Sequence, residues 1–169
     1  MASEKVFHAY TAGVLLRNPP KAGIGVWFYD EDDHDENQIL LNVSEPVQQG
    51  EPTKHRAEVK AVTAACMKAR PAQGIFFEKL FIHTDSEYVV NVVTNVISEW
   101  RDTGRITVEF NEEVTVCEIE EMVDLVTQLN ATLELNSPDS SSHGKERAEY
   151  FARQGAEKYK KKRNKKIQK

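Results

Sequence analysis

Lys79-Leu80-Phe81-Ile82-His83-Thr84-Asp85-Ser86 is the stretch that decides the fold. Lys79–Thr84 alternates and then runs apolar, as a buried strand does. Asp85-Ser86 follows, and Ser86 suits an N-cap, because its hydroxyl accepts from a free amide in a helix's first turn. Tyr88, Val89, Val92, Val93 and Val96 carry that helix. Valine is a mediocre helix former, so packing must outweigh propensity there. Asp85 thus stands at the joint of a buried strand and a helix.

Upstream of that joint, Val6–Thr11 reads as a strand ending at Ala12-Gly13. Lys21–Tyr29 is a second strand with glycines near its start, and Ile39–Val43 a third. Between them Asp30–Glu36 is nearly all acidic and fits a solvated hairpin loop. The three strands form an antiparallel meander. From Thr53, residues Ala57, Val59, Ala61, Val62, Ala65, Cys66 and Ala69 suit a helix packed closely on a sheet, ended by Pro71 and Gly74.

Downstream, Glu118–Leu129 is amphipathic, with Ile119, Met122, Val123 and Val126 on one side. Thr132–Leu135 is a last short strand, Asn136–Ser142 a polar loop, and Gly144–Tyr159 a final helix. In that helix Ala148, Phe151, Ala152 and Gly155 stand at packing spacing. The order is βββαβ(α)αβα, an α/β chain without internal repeats.

The chain has 169 residues, a length that fits one domain with one sizeable core. Its composition, 40% hydrophobic and 29% charged, is that of a soluble globular protein. No apolar run approaches the ~18 residues of a membrane span, and no signal-peptide pattern opens the sequence. Cys66 and Cys117 lie far apart without metal-ligand spacing, which fits a reducing compartment, nuclear or cytoplasmic. Lys158–Lys169 holds seven lysines, one arginine and no acid. The division is therefore a body, 1–157, and a basic tail, 158–169. With the chain at −5 and the tail at +8, the body carries −13. Such an acidic body is unlike a compact basic nucleic-acid binder, so phosphate affinity falls to local patches or to the tail.

Six short motifs stand in order along residues 6–157. They are Tyr10-Thr11-Ala12-Gly13, Ala22-Gly23-Ile24-Gly25-Val26, His55-Arg56-Ala57-Glu58, His83-Thr84-Asp85-Ser86, Thr94-Asn95 leading to Trp100, and Gly144-Lys145-Glu146-Arg147-Ala148-Glu149 leading to Ala152-Arg153-Gln154-Gly155-Ala156. Each alone is weak. Together they resemble the type 1 ribonuclease H family, with degenerate active-site motifs. The resemblance implies a ribonuclease H-like fold: a five-stranded mixed sheet, three antiparallel strands then two more, with helices on both faces. It also implies two-metal phosphodiester hydrolysis on the RNA strand of RNA/DNA hybrids, with Mg²⁺ or Mn²⁺ held by carboxylates that converge from several elements.

Carried over by position, Glu58 matches the first-helix acid and Asp85 the fourth-strand acid. Glu149 stands where the family usually has aspartate. The bland alternatives are a first-turn glutamate favoured by the helix dipole and an aspartate near a helix start. The first-strand acid is Ala12, which has no ligand oxygen. The family's loop histidine falls on Asp139, with His143 four residues later. The remnant catalytic and metal set is therefore Glu58, Asp85 and Glu149.

Substrate contacts are implied for Lys54, Arg56, Asn95 and Trp100. Lys54 replaces an amide and lacks its paired donor and acceptor, while Arg56 equally suits a salt bridge. Trp100, Arg101 and Gly104 resemble the start of a basic handle, but Glu109 to Asp124 that follows is acidic. A deliberate knockout would explain Ala12 alone. Several independent departures favour a naturally degenerate domain that binds RNA or a protein without cleaving. The alternative is a ribonuclease H in which Ala12 is the one lesion.

Overall fold

The computed structural model describes residues 6–30, 42–70, 79–104, 114–136 and 143–160. The acidic loop, Asp139 and residues 161–169 of the basic tail lie outside them, as does the side chain of Trp100. Five strands form one sheet: β1 (Val6–Leu16), β2 (Lys21–Asp30), β3 (Val43–Pro46), β4 (Lys79–Thr84) and β5 (Thr132–Leu135), in the order β3-β2-β1-β4-β5. β1, β2 and β3 pair antiparallel, whereas β4 and β5 run parallel to β1 and to each other. The helices among the described residues are α1 (Lys54–Ala69), α2 (Glu87–Thr103), α3 (Val116–Gln128) and α4 (His143–Glu157). None is long and apolar enough to cross a membrane.

Alternation along β1 sets the two faces of the sheet. Phe7, Ala9, Thr11 and Gly13 are buried. A Cβ on Gly13 would lie 2.3 Å from the backbone nitrogen of Glu58, so this face carries α1. On the other face α4 lies directly on β2. Cβ atoms on Gly23 and Gly25 would each come within 2.1 Å of an α4 carbonyl, that of Ala152 and Ala148 respectively. The helix answers with Ala148, Ala152 and Ala156, all fully buried. The same face carries ring-to-ring contacts of His83 with Tyr10 and His8, and of His8 with Phe81, and the start of α4 meets this cluster where Gly144 packs on the Tyr10 ring.

Three expected boundaries move. β1 runs on to Leu16 because β2 pairs with it as far as Lys21, so Ala12-Gly13 lies inside the strand rather than at its end. Of the expected third strand Ile39–Val43, residues 39–41 lie outside the described residues; the described β3 starts at Val43 and runs on to Pro46, and at residue 42 it is the Asn42 side chain that accepts from the Phe28 amide, at 2.9 Å. The helix after Asp85 continues to Thr103, so Trp100 and Arg101 belong to its last turns. Gly104, at φ +72°, stops it, as a left-handed glycine commonly does.

Caps hold the helix starts. The Thr53 hydroxyl accepts from the Arg56 amide, and the Ser86 hydroxyl from the Val89 amide at 3.1 Å. Thr115 and Glu118 form a reciprocal capping box on α3. After α4 the first tail residues dock on the β3 side: Lys158 Nζ donates to the Ser44 carbonyl, and Gln48 pairs with the Lys160 backbone.

Cys66 is fully buried in the core, and burial pushes its thiol up to about 12, Arg70 acting in the opposite direction; Cys117 is exposed. A thiol reagent at neutral pH is therefore expected to titrate one of the two cysteines rapidly and the second only after denaturation. Two fast thiols in the folded chain would contradict this packing.

Candidate functional site

The parallel ladder between β1 and β4 runs from Val6↔Lys79 to Tyr10↔His83 and stops there. β1 continues against β2, whereas β4 ends at Thr84 and the chain turns at Asp85 into α2. A cleft opens where these neighbours part, at the carboxyl end of β4, where ligands characteristically bind in open α/β sheets. Its volume is about 360 Å³. Thr11 and Ala12 form one wall and Thr84 and Asp85 the other. α1 supplies Lys54 and Glu58 from one face of the sheet, and α4 supplies Glu149 and Arg153 from the other.

Hydrogen bonds fix the joint. Thr11 Oγ1 donates to the His83 carbonyl at 3.0 Å, tying β1 to β4 where they part. The Ser86 amide donates to Thr84 Oγ1 at 3.0 Å, and the Asn136 amide to the Thr84 carbonyl at 2.8 Å. Asp85 is left between strand and helix with its side chain exposed.

Glu58, Asp85 and Glu149 thus line one cleft, with Ala12 and Lys54 beside them. Arg56 is not brought there. It is buried, its Nε donates to both carboxylate oxygens of Glu118 at 3.0 Å, and its Nη1 donates to the Glu51 carbonyl. Asn95 sits exposed on α2, away from the cleft lining. His143 is exposed at the start of α4, its ring edge-on to Trp27 at 5.3 Å.

The two acids in the expected family context each face a nitrogen group of their own chain. His55 Nδ1 lies 3.0 Å from Glu58 Oε1, in position for the Nδ1–H tautomer to donate, while its ring stacks on Tyr88 at 4.2 Å. Lys145 Nζ lies 3.6 Å from Asp85 Oδ2. The Asp85 pair is solvent-exposed and worth about 0–1 kcal/mol, so its effect is on the charge of the site rather than on stability.

A two-ion magnesium centre needs several free hard oxygens close together. Ala12 contributes none. Glu58 is bonded by an imidazole and Asp85 faces an ammonium. Among the described residues no three His, Cys, Asp or Glu side chains gather into a metal-holding group. As arranged, these residues do not fit such a centre.

Arg17 and Arg153 also line the cleft, and sequence reasoning did not single them out. A signal existed for Arg153: Lys145, Glu149 and Arg153 stand at i, i+4 and i+8, one stripe of α4. Arg17 follows the end of β1, and nothing in the spacing marks it.

A mixed sheet in the order 3-2-1-4-5, with α1 and α4 on opposite faces and a carboxylate-bearing cleft where β1 and β4 part, defines a ribonuclease H-like protein. A protein-family model for RNase H matches residues 4–157, and the chain belongs to that family. Ribonuclease H of Schizosaccharomyces pombe is 29% identical over 150 residues, covering 87% of this chain and 52% of that protein. Human ribonuclease H1 is 31% identical over 151 residues, covering 87% and 49%. The chain therefore spans about half the length of these relatives. The crystal structure of RNase H1 from Halobacterium salinarum superposes with a TM-score of 0.63 at 20% identity, covering 90% of this chain and 98% of that one.

Proposed function

We propose that this chain is a non-cleaving ribonuclease H-fold module that binds RNA or a protein partner. The observation that carries this reading is the occupancy of three of the four matched positions. The first-strand position is a methyl group, that of Ala12. Glu58 is bonded to His55 and Asp85 faces Lys145. The loss is spread over three elements rather than confined to one side chain. The basic tail adds +8 at one end of an acidic body, available as an RNA clamp or a nuclear address.

The test is cleavage of a labelled RNA/DNA hybrid in Mg²⁺ and in Mn²⁺, by the chain and by Ala12→Asp. No cleavage above buffer is expected from either, because the substitution restores one oxygen donor set and leaves Lys145 and His55 in place. Robust cleavage by the unaltered chain sinks the reading.

One observation favours a second reading. Glu58, Asp85 and Glu149 still converge on a single cleft, as a hybrid-cleaving ribonuclease H whose one lesion is Ala12 requires. Cleavage gained by Ala12→Asp alone would establish that reading instead.

A further inference from the structure

We propose that the cleft at the end of β4 grips a backbone phosphate of a nucleic acid directly, on Arg17, Lys54 and Arg153, without an intervening metal ion. The inference rests on the non-cleaving reading and names the ligand of the same site. Three cationic side chains line the cleft alongside three carboxylates, and Lys145 stands against one of those carboxylates. The lining alone sums to zero, and Lys145, set against Asp85 from outside the lining, brings these seven groups to a formal +1. The surrounding body, residues 1–157, is at −13. A positive site in so acidic a surface is a local exception.

The unused cations sharpen the point. Acids outnumber basic residues in this chain, 27 to 22. Lys21, Arg56, Lys60 and Lys145 each pair with a carboxylate. Arg17, Lys54 and Arg153 make no ion pair with any described residue, yet all three are exposed and reach one cavity. They come from three elements: the end of β1, the first turn of α1 and the outer face of α4. Two guanidiniums and an ammonium around one concavity match a phosphate oxyanion, which a guanidinium engages through two parallel N–H bonds.

Ala12 makes room for it. At the wall of the cleft it offers a methyl group where a carboxylate would repel an anion. Glu149 is the remaining opposing charge, and its helical neighbours at i−4 and i+4 are Lys145 and Arg153. The cleft's 360 Å³ admits a phosphodiester with part of its sugar.

The experiment is fluorescence-anisotropy titration of the full chain with a labelled RNA oligonucleotide and with an RNA/DNA hybrid, in EDTA, over a salt series. Binding is expected to persist in EDTA. Arg153→Glu and Arg17→Glu are each expected to weaken it about tenfold, and Arg153→Lys to recover most of the loss. Arg153→Ala and Lys54→Ala should each lower the slope of log K against log salt by about 1. Glu149→Gln is expected to tighten binding several-fold, the opposite of its effect on a metal-mediated complex. Excess inorganic phosphate or a mononucleotide that competes stoichiometrically would identify a free-phosphate site and overturn the nucleic-acid assignment. All these positions are exposed or half-buried, and unchanged melting curves would show that each variant folds.

Binding insensitive to both charge reversals and to Lys54→Ala, with no hybrid cleavage, overturns the phosphate site while the non-cleaving reading stands. Binding that vanishes in EDTA and returns with Mg²⁺ overturns it too. Hybrid cleavage by the same preparation overturns the non-cleaving reading itself.

Discussion

Gly25→Val is expected to destabilise the chain by about 3 kcal/mol or more, the upper range for overpacking, and to detach α4 from the sheet. The Cβ of any side chain at 25 would lie 2.1 Å from the Ala148 carbonyl oxygen and 2.4 Å from the Ala152 nitrogen. Those are the two ends of one helical hydrogen bond, so no rotamer change can make room. Either the helix withdraws, uncovering Ala148, Ala152 and Ala156, or the β1–β2 ladder bends around Ala12↔Gly25. Gly104→Ala is the control. It sits at φ +72° with nothing within 4 Å, so it meets only backbone strain of about 1 kcal/mol. Urea unfolding of the two variants checks the contrast. A Gly25→Val midpoint close to that of the parent would mean that α4 does not lie where it is placed, and the cleft would then lose Glu149 and Arg153 as walls.

Arg56→Ala should cost about 1–3 kcal/mol, the usual loss for charge-assisted hydrogen bonds of a buried group, because Glu118 keeps Lys60 and the Thr115 cap as partners. Arg56 is 5% exposed, and its guanidinium joins Glu118 on α3 to the Glu51 carbonyl before α1. Arg56→Lys should rescue only partly, because an ammonium cannot present the same planar fork. Nucleic-acid affinity per folded molecule should not change, since Arg56 does not line the cleft. A selective loss of affinity without loss of stability would instead restore it to a substrate-reading role. The same pair gives a pH signature. Burial raises the Glu118 carboxyl, but the Thr115 amide, the Arg56 guanidinium and the Thr115 hydroxyl outweigh it and hold the group below the ordinary glutamate value. A depressed folded value means stabilisation that is complete above the unfolded value and lost as pH falls through the folded one. Parent stability should therefore fall in the acid range, and Glu118→Gln should flatten that part of the profile.

Much of the architecture was legible because it rests on local chemistry. Ser86 caps α2 as its hydroxyl suggests, Lys79–Thr84 and Thr132–Leu135 are strands at the expected residues, and the alanines of α1 and α4 meet the sheet closely. Strand ends were less legible. Ala12-Gly13 looks like a stop, yet pairing with β2 carries β1 five residues past Thr11, to Leu16. A ladder is a property of two strands, and neither sequence alone states where it ends.

For the candidate site, the sequence by itself determined which side chains are on offer: carboxylates at Glu58, Asp85 and Glu149 and a methyl group at Ala12 are matters of identity and order. Tertiary structure alone decided what faces them. Lys145 reaches Asp85 across the gap between α4 and the end of β4, Arg17 enters from beyond the end of β1, and Arg56, adjacent in sequence to the cleft's residues, turns away into a buried pair. The reason is physical. A ligand's chemistry resides in its side chain, but the charge of a cleft is a sum over groups brought within a few ångströms by elements distant in the chain, and that sum is fixed only when the sheet and its two helices have packed.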